Sequence, residues 1–254
     1  MLKITQRKSR FTERDILVFE FLSIYGYADF ESLYMLTRYF FPCSKLTFRE
    51  RLGVLKKSGY IEISEYNMPR EDENNPNFRF ILIRGNSKTF IGIGGKRHNV
   101  RILKSSFYHE LFIIRTLAKC KENGDAAYSE KMDEYRFKGK EIRPDVYMPS
   151  LKYGFEVEVS VKRSWLGYGR KFAALQDKLD DARHNRKEAE INKLIYLVLN
   201  EKDKFSLIRR FEKLKSTSIN KGNNFKTYLV PQTINDHIRV ATLDEFYDRD
   251  LNSF

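Results

Sequence analysis

Two hundred and fifty-four residues are enough for one large domain or two smaller ones, and 41% hydrophobic with 32% charged residues is the balance of a folded chain rather than a disordered one. Forty-seven Lys and Arg against 34 Asp and Glu leave a formal charge of +13, which draws in polyanions and makes nucleic acid the first partner to consider. No run approaches the roughly 20 apolar residues of a membrane span, the opening residues lack the apolar core of a secretory signal, and no lipidation signal is present, so no membrane insertion and a cytoplasmic location are expected.

Cys43 and Cys120 are too few and too far apart for a disulfide framework or a Cys-rich zinc site. His98, His109, His184 and His237 form no close helical or strand pair, which argues against a histidine-built metal centre.

The first 85 residues predict three short helices followed by a hairpin. Thr12 and Asp15 offer a capping hydroxyl and an early acid ahead of Ile16, Leu17, Phe19, Phe21 and Leu22. Asp29 is placed to cap a second helix carrying Leu33, Leu36 and Phe40, ended by Pro42. Ser44 caps a third, 44 to about 57, with Leu46, Leu52 and Leu55 expected inward and Ser58-Gly59 as its stop. The outward face of that helix carries Lys45, Arg49, Arg51, Lys56 and Lys57, and Lys45, Thr47, Arg49 and Glu50 are the expected base readers. Residues 60–66 and, less strictly, 78–83 alternate with period two, and the polar run 67–77 has the composition of a hairpin tip. Helix, helix, basic helix, hairpin is the order of a winged helix-turn-helix, a module that lays its basic helix in a DNA major groove.

Gly85, Gly92, Gly94 and Gly95 mark a junction. They lack the helix and third glycine of a dinucleotide loop and read as a connection. The expected division is therefore a winged-helix DNA-binding domain over 1–90, a linker over 91–104 and a second domain over 105–254.

From residue 105 the pattern is α/β: a helix to about 122 stopped by Asn123-Gly124, strands near 126–137 and 141–148 around Lys138-Gly139-Lys140, and a strand over 155–162. A charged helix follows from 170 to about 190, then the apolar run 194–199 of a central strand, a charged helix near 204–215 and a strand at 226–230.

The strand at 155–162 carries the chemistry. Val157, Val159 and Val161 take one face, and Glu156, Glu158, Ser160 and Lys162 take the other. Carboxylates two residues apart stand about 7 Å apart along a strand. Flanked by helices, such a face is partly buried, and buried like charges need a cation between or beside them. Pro144-Asp145 lies eleven residues upstream on the neighbouring strand, within reach across a hairpin. Three hard oxygen donors suit Mg2+ or Mn2+, completed by water and phosphate.

These residues, in this order of elements, resemble the PD-(D/E)xK nuclease superfamily, whose core runs α-β-β-β-α-β. The expected fold class is α+β, a winged helix-turn-helix followed by a restriction-endonuclease-like domain with a mixed sheet flanked by helices. The resemblance implies that Asp145 and Glu156 ligate the metal and that Glu158 stands where lysine is usual, near the attacking water. Lys162 on the same face would supply the missing positive charge. An acid from the first core helix often joins such sites, and Glu110 is its counterpart here, with His109 beside it as the alternative.

The arrangement along residues 10 to 200 also looks like the replication-relaxation family, including MobC-type relaxases of mobilisable plasmids. That resemblance implies binding of a double-stranded plasmid transfer origin, metal-dependent nicking of one strand to begin conjugative mobilisation, and relaxosome or coupling proteins as partners. The glutamate in place of lysine leaves open a non-catalytic initiator, repressor or relaxosome accessory on the same fold, and an endonuclease cutting both strands is a third reading.

Overall fold

The computed structural model describes residues 11–68, 78–85, 107–132, 142–159, 165–186, 189–215, 218–220, 227–229 and 236–254. Its contacts divide the chain into two compact units, Met1–Gly124 and Asp125–Phe254. The expected linker at 91–104 and the turn at 138–140 lie outside the described residues.

In the first unit, helix α1 (Glu13–Tyr25) opens on a reciprocal cap: Thr12 N donates to Asp15 Oδ2 at 2.8 Å, and Asp15 N donates to Thr12 Oγ1 at 3.3 Å. Gly26 ends it in the left-handed region at φ +79°. The chain passes through a short strand, β1 (Tyr27–Asp29), into α2 (Phe30–Arg38), where Ser32 N donates to the capping Asp29 at 2.7 Å. Helix α3 (Lys45–Lys57) is capped by Ser44 and closes at Gly59, φ +72°. Strands β2 (Ile61–Met68) and β3 (Phe78–Gly85) pair antiparallel with Ile63 opposite Ile83. Strand β1 joins the other edge of β3, giving the order β1-β3-β2. The sequence pattern does not reveal β1 because three residues, all buried, show no alternation.

Helix α3 buries Phe48, Leu52 and Leu55, spaced four and three apart. Leu46, expected inward, is instead 64% exposed. It lies two residues from Phe48, about 200° around the helix, so the two cannot share a face. Arg51 points back into the unit, with Nε 3.0 Å from Oδ1 of the buried Asp15. One carboxylate thus caps α1 and anchors α3, and its hydrogen bond raises the Arg51 pKa above the ordinary value.

Helix α4 (Phe107–Cys120) packs on α2 within this unit, with Phe107 stacked on Tyr27 at 5.6 Å and Arg115 paired with Asp29. The stop at Asn123-Gly124 is present. Gly124 has φ +82°, and a Cβ there would come within 2.3 Å of the Tyr39 ring.

The second unit is built on a five-stranded mixed sheet. Strands β4 (Tyr128–Ser129), β5 (Val146–Met148) and β6 (Tyr153–Glu158) are antiparallel neighbours. Helix α5 (Trp165–His184) carries the chain to β7 (Lys193–Val198), parallel to β6. Helix α6 (Glu201–Lys215) follows, then a small two-stranded sheet of β8 (Ser218–Asn220) and β9 (Thr227–Leu229). Strand β10 (Ile238–Thr242) returns to the main sheet parallel to β7 and leads into α7 (Leu243–Asp248) and a final turn of 3-10 helix, Leu251–Ser253.

Helices cover both faces of this sheet. Tyr168, Phe172 and Leu175 of α5 and Leu207, Phe211 and Leu214 of α6 pack on Leu194, Tyr196 and Val198. On the other face Phe246 of α7 meets Phe155 at 5.2 Å. Burial from both sides explains the unbroken apolar run of β7. The strand expected at 226–230 pairs with β8 outside the main sheet, and the position beside β7 is taken by β10. Helix α5 starts at Trp165 rather than 170 despite Gly167 and Gly169, because the fully buried Tyr168 ties its first turn to the core.

Gly53 lies inside α3 with no atom within 4 Å of where a Cβ would stand, and its φ is not positive. Gly53→Ala should therefore stabilise the protein by about 1 kcal/mol, read as a higher urea midpoint at unchanged slope.

Lys204 Nζ donates to Glu245 Oε1 at 2.7 Å and holds that carboxyl below its usual pKa, while Glu245 also accepts from Thr242 N at 2.9 Å to cap α7. A lowered native pKa gives stability that is present above the unfolded value and lost as pH falls through the native one. Stability should thus decline on acidification below about pH 4, and Glu245→Gln should lessen that decline in pH-dependent melts.

Candidate active site

Strand β6 alternates as its sequence requires, and packing on both faces turns the alternation into burial of charge. Glu156 is 1% exposed and Glu158 5%. They register with Tyr196 and Val198 of β7, on the face covered by α5 and α6. They are therefore not surface charges on a solvated strand.

Asp145 stands immediately before β5. Val146 pairs with Phe155, so carrying the antiparallel register one residue further sets Asp145 opposite Glu156. Its Oδ2 accepts the Val157 N–H at 2.8 Å, which locks the carboxylate onto the neighbouring strand. Pro144 is seated by a glycine: a Cβ at Gly154 would fall 3.0 Å from Pro144 Cβ and 2.6 Å from Ile191 Cδ1. The bare backbone at 154 is what lets the Pro144-Asp145 corner lie close against β6.

The charge that meets Glu156 comes from α5. Lys171 Nζ forms an ion pair with Glu156 Oε1, and the lysine side chain is largely buried. Sequence reasoning did not nominate Lys171. The available signal was its place beside Phe172 on the Tyr168, Phe172, Leu175 stripe, where a cation on an inward helix face requires an acid opposite. Lys162 lies outside the described residues.

Glu110 and His109 are half-buried on α4, in the first unit, where Glu110 accepts a hydrogen bond from Tyr27 Oη at 3.2 Å. Among the described residues no three His, Cys, Asp or Glu side chains gather as a ready metal cluster. Asp145 and Glu156 together offer hard oxygens on adjacent strands. Mg2+ characteristically takes one or two protein carboxylates and fills its shell with water and substrate phosphate, so this pair fits such an ion.

Family models, curated proteins and solved structures give no match to this chain. The group consists of Glu156 and Glu158 buried on the central strand, the half-buried Asp145 before the neighbouring strand and Lys171 on α5, in a setting where each buried charge costs several kcal/mol unless compensated.

On the first unit, α3 exposes Lys45, Thr47, Arg49, Glu50, Lys56 and Lys57. Lys45 is 2.7 Å from Glu31, and the Arg49 guanidinium lies 5.3 Å from the Phe30 ring centroid. Arg51, named with them from the sequence, is the residue that pairs with Asp15.

Removing one member of a buried ion pair leaves the other uncompensated. Lys171→Met should destabilise the protein by about 3–5 kcal/mol, whereas Glu156→Leu combined with Lys171→Met should recover most of the loss in a denaturant double-mutant cycle.

Proposed function

We propose that the chain is a DNA-binding, metal-dependent endonuclease, with a winged-helix module ahead of a PD-(D/E)xK-type domain. The observation that carries this reading is the burial of Glu156 and Glu158 on a central strand, with Asp145 opposite Glu156 and Lys171 paired with Glu156. A fold selected only for stability gains little from such a group, because a buried ion pair is often replaced by apolar side chains without loss. The strand order, three antiparallel and then parallel after a helical crossover, supports the domain assignment. The order α1-β1-α2-α3-β2-β3 with an outward basic α3 supports the winged helix.

In this reading Asp145 and Glu156 hold Mg2+ or Mn2+, which when bound polarises the phosphodiester and lowers the pKa of its water. The residues of the chain do the rest. The Val157 N–H fixes the Asp145 carboxylate, so that ligand is oriented beforehand. Glu158, two residues from Glu156 on the same face, would accept a proton from the attacking water. Lys171 supplies the positive charge that Glu158, at the position usual for lysine, does not. The apolar cover of Tyr168, Phe172 and Tyr196 keeps bulk water from these charges. The narrower form of the proposal is a relaxase that nicks one strand of a plasmid transfer origin, with relaxosome or coupling proteins as partners.

A second reading has its own support. The Lys171 ammonium already neutralises one of the two carboxylates, as expected of a fold that has exchanged its metal for an internal cation and kept only DNA binding.

Supercoiled origin plasmid incubated with the protein and Mg2+ or Mn2+ should be converted to open circles. Asp145→Asn and Glu156→Gln should each reduce nicking by about a hundredfold or more, with folding checked by melting. Origin binding without manganese uptake in calorimetry selects the non-catalytic reading, and a linear product selects double-strand cleavage.

A further inference from the structure

Helix α6 turns Leu207, Phe211 and Leu214 to the core, and what it leaves outside is unusual. Lys202, Phe205, Ser206, Arg209, Arg210 and Lys213 line a surface groove of about 560 Å³. Four of the six are cations and none is acidic. Lys202, Arg209 and Lys213 are exposed and fall within about 40° of one another around the axis, forming one ridge. Phe205 lies on the flank of that ridge, 59% exposed.

A cationic ridge by itself solubilises a helix. An aromatic ring left in water beside it forfeits the gain of burying its area, which points to a flat apolar surface as its partner. A membrane-binding face would need several apolar residues in a band, and this one has a single ring. Duplex DNA would satisfy the cations but keeps its bases stacked inside and offers the ring nothing. An unpaired strand presents phosphates and base faces together, which suits one exposed ring beside a line of cations. The ridge from residue 202 to 213 is about 16 Å long, the reach of two or three nucleotides.

We propose that the outer face of α6 is a track for single-stranded nucleic acid, with Phe205 stacking on an unpaired base and Lys202, Arg209 and Lys213 contacting the flanking phosphates. It rests on the DNA-binding part of the function proposed above and is independent of cleavage. A strand freed by melting or nicking would have a place to lie on the same unit as the acidic strand.

The test measures fluorescence anisotropy of the full chain with a labelled thymidine 20-mer and with a duplex of equal length, across salt concentrations. Phe205→Ala should weaken single-strand binding about tenfold and leave duplex binding unchanged. Replacing Lys202, Arg209 and Lys213 together by Ala should lower the slope of log affinity against log salt for the single strand by about two. Unchanged single-strand binding by Phe205→Ala with duplex binding intact would overturn the track and spare the DNA-binding reading. Equal weakening of both forms, or equally effective competition by polyglutamate, would also overturn it. Failure of the wild-type chain to bind either form would sink the DNA-binding reading itself.

Discussion

The second unit depends on how a carboxylate can sit in the middle of a protein. Glu156 is enclosed by strands on both sides and helices above and below, and it is held there by an ammonium reaching from α5. Stripping water from two charges is expensive, and their attraction repays it only when the geometry is held firmly. Much of the surrounding structure serves to hold it. Tyr168, Phe172 and Leu175 fix α5 against the sheet and so set the height of Lys171. The parallel pairing with β7 fixes β6, and the missing side chain at Gly154 admits Pro144 so that Asp145 closes over the neighbouring strand.

The first unit solves a smaller version of the same problem with Asp15. That carboxylate is buried, caps its own helix through Thr12 and takes the guanidinium of Arg51 from α3. Here every acceptor is used within the unit, by groups that also define helix orientation, and the interaction reads as structural. In the second unit Glu156 and Glu158 are buried on one face of β6, Asp145 stands opposite Glu156 and accepts the Val157 N–H, and Lys171 pairs with Glu156.

Helix caps were legible in advance because they are local. Thr12, Asp29 and Ser44 each satisfy a backbone N–H three residues ahead, and nothing elsewhere in the chain can change that demand. The alternation of Glu156, Val157 and Glu158 was equally legible, since a strand assigns faces by period alone. Strands β1 and β10 were not: short segments show too little pattern, and their pairing comes from partners 53 or more residues away for β1 and 44 for β10. Leu46 is apolar yet exposed because Phe48, two residues on, sets the buried face of α3.

The chain by itself determined its charge, its caps, its alternating acids and the order of its main elements, all of which follow from neighbours within a few bonds or a few turns. Tertiary structure alone decided that both faces of β6 would be covered, that Asp145 would stand opposite Glu156, and that Lys171 would be the cation to meet it. The reason is the range of the forces concerned. Capping and strand period act along the backbone, whereas the partner of a buried charge is chosen by whichever distant segment packing brings within reach.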